Sequence, residues 1–273
     1  MRITSLLVML SLIILSVSCG QSKNSRGPKF TKLTEEQIQL VMDNQVLSCA
    51  GINGKSCPEG VVRILTLNKQ AAEKSTVCSG FMVGPKTMVT NHHCVATVEQ
   101  CNNSHLAIYN GHSYVQSKCK KIIKTEEDYN GADDPRRKID YSILEIEDEF
   151  TGETFKLADA RAVVEEKVTA WVVDHIGLDK DKEQANPYEA RITEFSCKVM
   201  NQIQSASLIL EDCPIISGNS GSPLLNSNGE IVGIIWGATR AELNSNTPLE
   251  TRRASSGLGL ATEMVYFKNY INI

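Results

Sequence analysis

From Gly60 onward the chain is cut into short apolar or alternating runs: "VVRILTL", "CSGFMV", "TMVTN", "DYSILEI", "VTAWVVD", "SLILED", "SPLLN" and "IVGIIWG". Gly, Pro, Asn and Asp stand between them. Runs this short and this rich in β-branched residues read as strands rather than helices. Many short strands at such spacing bury their apolar faces best by closing on themselves, which predicts an all-β barrel or sandwich. A polar passage, "EDEFTGETFKLADA", divides the runs into two sets and reads as a link between two barrels. The final "EMVYFKNYI" reads as a short C-terminal helix.

The N-terminus follows other rules. "MRITSLLVMLSLIILSVSCG" carries one early charge, Arg2, and then an apolar run too short to span a bilayer comfortably, so residues 1–18 read as a secretory signal. Small residues before Cys19 resemble the lipobox of bacterial lipoproteins, with Ser16 where leucine is commonest. This makes Cys19 the expected lipidated first residue; a plain signal peptide cleaved nearby is the other reading. Gly20 after Cys19 resembles outer-membrane sorting in some Gram-negative bacteria. The expected location is the cell envelope, on a membrane surface or its periplasmic face. Residues 19–59 read as a tether followed by a helix. The helix is "LTEEQIQLVMDNQVL", with capping-box spacing at Thr34 and Gln37 and one face formed by Ile38, Val41 and Met42.

Setting Cys19 aside leaves Cys49, Cys57, Cys78, Cys94, Cys101, Cys119, Cys197 and Cys213. An even number in an exported chain predicts disulfides. Sequence leaves their connectivity open; pairing of neighbours (49–57, 78–94, 101–119, 197–213) is the simplest expectation. A bridge closing a loop of about fifteen residues contributes roughly 3 kcal/mol in the chain-entropy description. There is no C-x-x-C pair and no metal spacing among the histidines, so neither metal nor cofactor is expected. The formal net charge of −4 comes without a basic stretch, which argues against nucleic-acid binding.

The chemistry concentrates in three places. In "IISGNSGSPLLN", Ser220 lies between Asn219 and Gly221, with Gly218 just before. Glycines beside a reactive hydroxyl let main-chain N–H groups converge, here those of Gly218 and Ser220, where they can hold a developing oxyanion. "TMVTNHHCVAT" ends an apolar strand in His92, His93 and Cys94. "IDYSILEIE" opens with Asp140 at the mouth of a buried strand, where a carboxylate needs a partner. His93 can take the proton of Ser220, and Asp140 can orient the imidazole. An α/β-hydrolase elbow does not fit. Ser222 occupies the place of its second glycine, and no histidine follows His175.

In this order the motifs resemble those of the trypsin-like (chymotrypsin-fold) serine peptidases. "TNHHC" is similar to that family's "TAAHC", "DYSIL" to "DIALL" and "GNSGSP" to "GDSGGP". "GNSGSP" is closest to the bacterial branch that includes the glutamyl endopeptidases. The resemblance covers residues 60–273. It implies two six-stranded antiparallel β-barrels, a peptide or protein substrate, and the catalytic set His93, Asp140 and Ser220. By the same analogy Pro214 and Ile215 form the floor of the primary pocket, and Ile235, Trp236, Gly237 and Gly259 its walls. No acid lies on that floor, which implies an apolar preference unless Arg240, Arg252 or Arg253 folds back. Asn219 replaces the aspartate that, in the digestive branch, pairs with a newly freed amino terminus. A protease fold that has lost activity and serves as a scaffold is the rival reading. His92 is a second candidate base. His105, His112 and His175 read as surface or structural, Asp133 and Asp134 as loop residues, and Trp171 and Trp236 as core or cleft wall.

Overall fold

The computed structural model describes residues 34, 36, 39, 42–50, 56–68, 75–128, 138–175, 189–203, 207–239 and 249–271. The expected helix and tether change character at β1 (Val46–Cys49), which pairs in parallel with a later strand. The apolar spacing that reads as a helix through Leu47 therefore gives way to a strand. Val46 is β-branched, Leu47 is buried, and the pairing supplies backbone bonds that an isolated helix end would lack. A disulfide between Cys49 and Cys57 fastens this segment. Residues 46–49 thus lie in register against Glu189–Ile192. Thr34 is exposed, while Gln37, Ile38, Val41 and Cys19 lie outside the described residues.

The first barrel is built from β2 (Val61–Thr66), β3 (Thr76–Gly84), β4 (Thr87–Thr90), β5 (Ser104–Tyr109), β6 (Tyr114–Asp128) and β7 (Ile139–Ile146). It closes in the order β2-β3-β4-β7-β6-β5. Its interior holds Ile64, Met82, Met88, Leu106, Ile108 and Leu144. Between β4 and β5 lies α1 (Val98–Asn102), opened by a capping box between Thr97 and Gln100. It carries Cys101 to its disulfide with Cys119.

The second barrel uses β8 (Lys167–Asp174), β9 (Glu189–Ile203), β10 (Ser207–Glu211), β11 (Pro223–Leu225), β12 (Ile231–Ala238) and β13 (Gly259–Glu263). The order is β9-β10-β13-β12-β11-β8, with β8 pairing back to β9, and β1 lies outside the ring on β9. The two closed six-stranded antiparallel barrels that the family resemblance implies are thus present. A short helix, α2 (Leu249–Ser255), precedes β13. The last segment, expected to be helical, makes two 3₁₀ turns, Met264–Tyr266 and Lys268–Tyr270.

The polar passage does link the barrels. Phe150 and Phe155 donate main-chain bonds to Pro85 and Met82 of the first barrel, and Ala158 donates to Ile231 of the second. Phe155 also packs edge-on against Phe81, at 5.9 Å between ring centres. The four disulfides follow the neighbour pairing, closing with Cys78–Cys94 and Cys197–Cys213.

Candidate active site

Each barrel brings its own chemistry to the interface. His93 sits in the turn that follows β4, and Asp140 is the second residue of β7, the strand paired with β4. Asp140 has no exposed surface. Its Oδ2 lies 2.6 Å from His93 Nδ1, and its Oδ1 accepts the His93 main-chain N–H at 3.2 Å. Asn91 Nδ2 donates to the Asp140 carbonyl at 2.8 Å, so side chain and backbone of the aspartate both hold the histidine turn. Lys138 Nζ also reaches Oδ2, at 2.7 Å. Burial works against the charge of this carboxyl. The bonds and charges of His93 and Lys138 outweigh burial and hold its pKa down at about 2.

Ser220 belongs to the second barrel, in the turn that leads into β11. That turn needs glycine at two places. Gly218 has φ +92, and a Cβ there would run into the His175 ring. Gly221 has φ +90, and a Cβ there would collide with the Ser79 carbonyl and Thr90 Oγ1. L-residues seldom adopt such angles, and neither site has room for a side chain. The first barrel grips the turn directly. Ser79 of β3 donates its N–H to the Ser220 carbonyl at 2.7 Å and its hydroxyl to the Gly218 carbonyl at 2.8 Å. The residue before it, Cys78, is bonded to Cys94, next to His93. One disulfide therefore ties the histidine turn to the strand that holds the serine turn.

Within the turn, the N–H of Asn219 is used by the Ile216 carbonyl at 3.1 Å. The N–H groups of Gly218 and Ser220 on either side have no acceptor among the described residues. Two unused donors flanking a hydroxyl are what an oxyanion site requires. The Ser220 hydroxyl donates to the Trp236 carbonyl at 3.4 Å and has no hydrogen bond to His93 among the described residues. Catalytic contacts of this kind are often long without substrate.

Sequence reasoning missed what lies beneath the turn. Asn219, fully buried, accepts from Ile216 N–H at 3.1 Å and donates to the Val173 carbonyl at 3.0 Å and to Asp174 Oδ1 at 3.3 Å. Asp174 is buried in an ion pair with Arg253, and Thr193 donates to its other oxygen at 2.8 Å. Arg253 also donates to the Pro214 carbonyl at 2.6 Å and stacks on Phe195, its guanidinium carbon 4.3 Å from the ring centre. His175 is buried against Gly218. Burial, and then the charges of Arg63 and Arg252, push its pKa well below the usual range, so the ring is neutral.

The other candidates fall as follows. His92 turns away from the serine, with Nδ1 2.9 Å from Thr125 Oγ1 and Nε2 3.5 Å from Glu127. His105 is buried and His112 exposed. Asp133, Asp134 and Arg240 lie outside the described residues. Trp171 is in the core of the second barrel, and Trp236 is half-buried at the end of β12. Pro214 is half-buried, Ile215 packs on Gly259, and nothing lies within 4 Å of a Cβ built on Gly237. The side chain of Ile235 is wholly buried. Its backbone pairs with Gly221 and Ser222. Cys78, His93 and Cys94 form the one cluster with metal-ligand proximity among the described residues. Both sulfurs are spent on a disulfide and offer no thiolate.

A family model described as "Trypsin-like peptidase domain" matches residues 78–234. Among solved structures, the active form of the Rv3671c protease from M. tuberculosis is 16% identical, with 92% of each chain covered and a TM-score of 0.50. A Glu endopeptidase is 15% identical over 77% of this chain and 89% of its own, with a TM-score of 0.54. A scabies mite inactivated protease paralogue is 14% identical over 80% of this chain and 94% of its own, with a TM-score of 0.55. At these identities the structural likeness is one of fold.

Proposed function

The chain belongs to the trypsin-like peptidase family, and from that premise we propose that it is a serine endopeptidase. What most supports this reading is a buried carboxylate bonded to the Nδ1 side of His93, across the interface from a serine flanked by two unused N–H donors. Asp140 keeps the proton on Nδ1, leaving Nε2 as the base for Ser220. Ser220 Oγ attacks the substrate carbonyl, and the N–H groups of Gly218 and Ser220 receive the oxyanion. The imidazolium then gives its proton to the leaving amine, and water resolves the acyl-enzyme by the same steps. No step calls on a metal or cofactor. A fluorophosphonate probe separates this reading from an inactive scaffold. The wild-type protein is expected to label and Ser220→Ala not to; a folded wild type that stays unlabelled points to the scaffold.

Specificity follows from the pocket floor. Pro214, Ile215 and Gly259 offer no charge, and Arg253, one of the three arginines that could fold back, is bound to Asp174 beneath them. A charged substrate side chain would lose its hydration without gaining a partner, at several kcal/mol. An apolar side chain gains about 25 cal/mol per Å² buried. Peptide-library profiling is expected to show Ala, Val or Leu before the scissile bond. A strong preference for Glu, Lys or Arg would overturn this assignment.

Four disulfides fit an exported protein. We propose further that Cys19 carries lipid and holds the enzyme at a membrane of the cell envelope. Metabolic labelling with a fatty-acid analogue is expected to mark the wild type and not Cys19→Ala. Two unlabelled, soluble proteins would end the idea.

A further inference from the structure

Lys138 is a buried cation set between two carboxylates, those of Glu127 and Asp140. Its side chain is only 10% exposed. Nζ lies 2.7 Å from Asp140 Oδ2, the same oxygen that His93 Nδ1 approaches at 2.6 Å. On its other side Nζ lies 2.7 Å from Glu127 Oε1, and it sits 5.7 Å from the centre of the Trp236 ring. The backbone that carries it is gripped by the opposite barrel. The Lys138 carbonyl accepts from Ser207 Oγ of β10 at 3.1 Å and from Thr262 Oγ1 of β13 at 3.3 Å. Thr262 Oγ1 in turn accepts the Asp140 N–H at 3.1 Å. The position of the ammonium is therefore fixed by both halves of the molecule.

We propose that Lys138 is a positioning residue of the proposed peptidase: it fixes the Asp140 carboxylate and opposes protonation of His93. The inference rests on the functional reading above. Its physical basis is the shared oxygen. A carboxylate with two neighbouring donors on Oδ2 and one on Oδ1 cannot rotate without breaking all three. The ammonium and an imidazolium would also be two positive charges on one oxygen, so the lysine disfavours the charged ring and keeps the base available at lower pH. The charged or titratable groups around His93 are Asp140 on β7, Lys138 just before it, Glu127 on β6, and the neighbouring His92, which faces Glu127. Ser220 and Trp236 add no charge. Of these, Lys138 is the cation in direct contact with the carboxylate that His93 uses.

The test compares wild type, Lys138→Met and Lys138→Arg, with rates divided by the fraction of protein that reacts with the fluorophosphonate. For Lys138→Met, kcat per labelled site is expected to fall about tenfold or more while KM stays within about twofold. The acid limb of the kcat/KM profile is expected to move up by about one pH unit, since one unit corresponds to 1.36 kcal/mol of changed interaction. Lys138→Arg should restore most of both. Proton NMR of the Nδ1–H resonance of His93 gives a readout free of activity. In Lys138→Met the signal of the protonated ring should persist to higher pH. If Lys138→Met loses only labelled fraction, with an unmoved acid limb and an unmoved resonance, the lysine is merely structural and the proposal is wrong. If the wild type neither labels nor cleaves but the resonance still shifts in Lys138→Met, the peptidase reading fails, its positioning role falls with it, and only the electrostatic coupling of Lys138 to His93 stands.

Discussion

Ser220→Ala and His93→Ala are each expected to lower kcat by roughly 10⁶-fold, and Asp140→Asn by about 10⁴-fold. The three groups act as one unit, so a double variant should be little worse than the worse single one. The aspartate costs less because its loss leaves nucleophile and base in place and disturbs only the ring's orientation and charge. His92→Ala provides the control, since the His92 ring is engaged with Thr125 and Glu127 and points away from the serine turn. Turnover of the best library peptide, normalised to folded protein, measures all four. If His93→Ala kept near-normal turnover while His92→Ala lost it, the base would be wrongly assigned.

Arg253→Met is expected to be the most damaging change outside those three residues. It strands Asp174, 5% exposed, without its cation, and removing one partner of a buried pair costs about 3–5 kcal/mol. The loss also reaches the chemistry. Asp174 receives the Asn219 amide, and Asn219 sets the turn that aims the Gly218 and Ser220 N–H groups. Mislocating one such donor lowers kcat by about 10²-fold or more. Urea unfolding and turnover of the remaining folded fraction are the two measurements. The pair Asp174→Leu with Arg253→Met should recover stability but not turnover, because Asn219 then loses the Asp174 carboxylate and keeps only the Val173 carbonyl as acceptor. Wild-type stability and rate in Arg253→Met would remove the ion pair from this account. The same geometry bears on activation. An oxyanion turn braced by Asp174 and Arg253 needs no freshly cut amino terminus, so the full-length chain is expected to label with the probe before any cleavage near Gly60.

Sequence made the motifs legible because each is local. "GNSGSP" shows its own need for backbone freedom, "NHHC" sets a base beside a disulfide cysteine, and "IDYSIL" exposes an acid at the start of a buried strand. The strand pattern likewise reported an all-β barrel or sandwich, since each strand declares its inward face within a few residues; the count of two barrels came with the family resemblance. What stayed hidden is the set of partners. Asp174 and Arg253 are 79 residues apart, and nothing local in "LETRRAS" marks Arg252 and Arg253 as the buried residues they are. Lys138 ends a charged loop sequence, "DDPRRK", so nothing local marks it as the ammonium on Asp140. Ser79 looks like any small residue in a strand until the serine turn is seen to rest on it. At Val46 and Leu47 the apolar spacing fits a helix, and only the distant strand β9 decides otherwise.

That distant pairing carries a consequence for how the protein is made. β1 takes Glu189–Ile192 of β9, the stretch that β10 does not reach, and Ser48 bonds to Ala190 across 142 residues of sequence. Tyr114 and Gln116 of the first barrel also hold this segment, through the carbonyls of Gln45 and Met42. A chain synthesised from its N-terminus presents β1 long before its template exists. Closing so long a loop costs entropy before any contact rewards it, which makes such pairings slow. The Cys49–Cys57 bridge, only eight residues apart, can form early and keep the waiting strand compact. β1 is thus unable to dock until most of the protein has been made, and the edge of β9 stays open to foreign strands until it does.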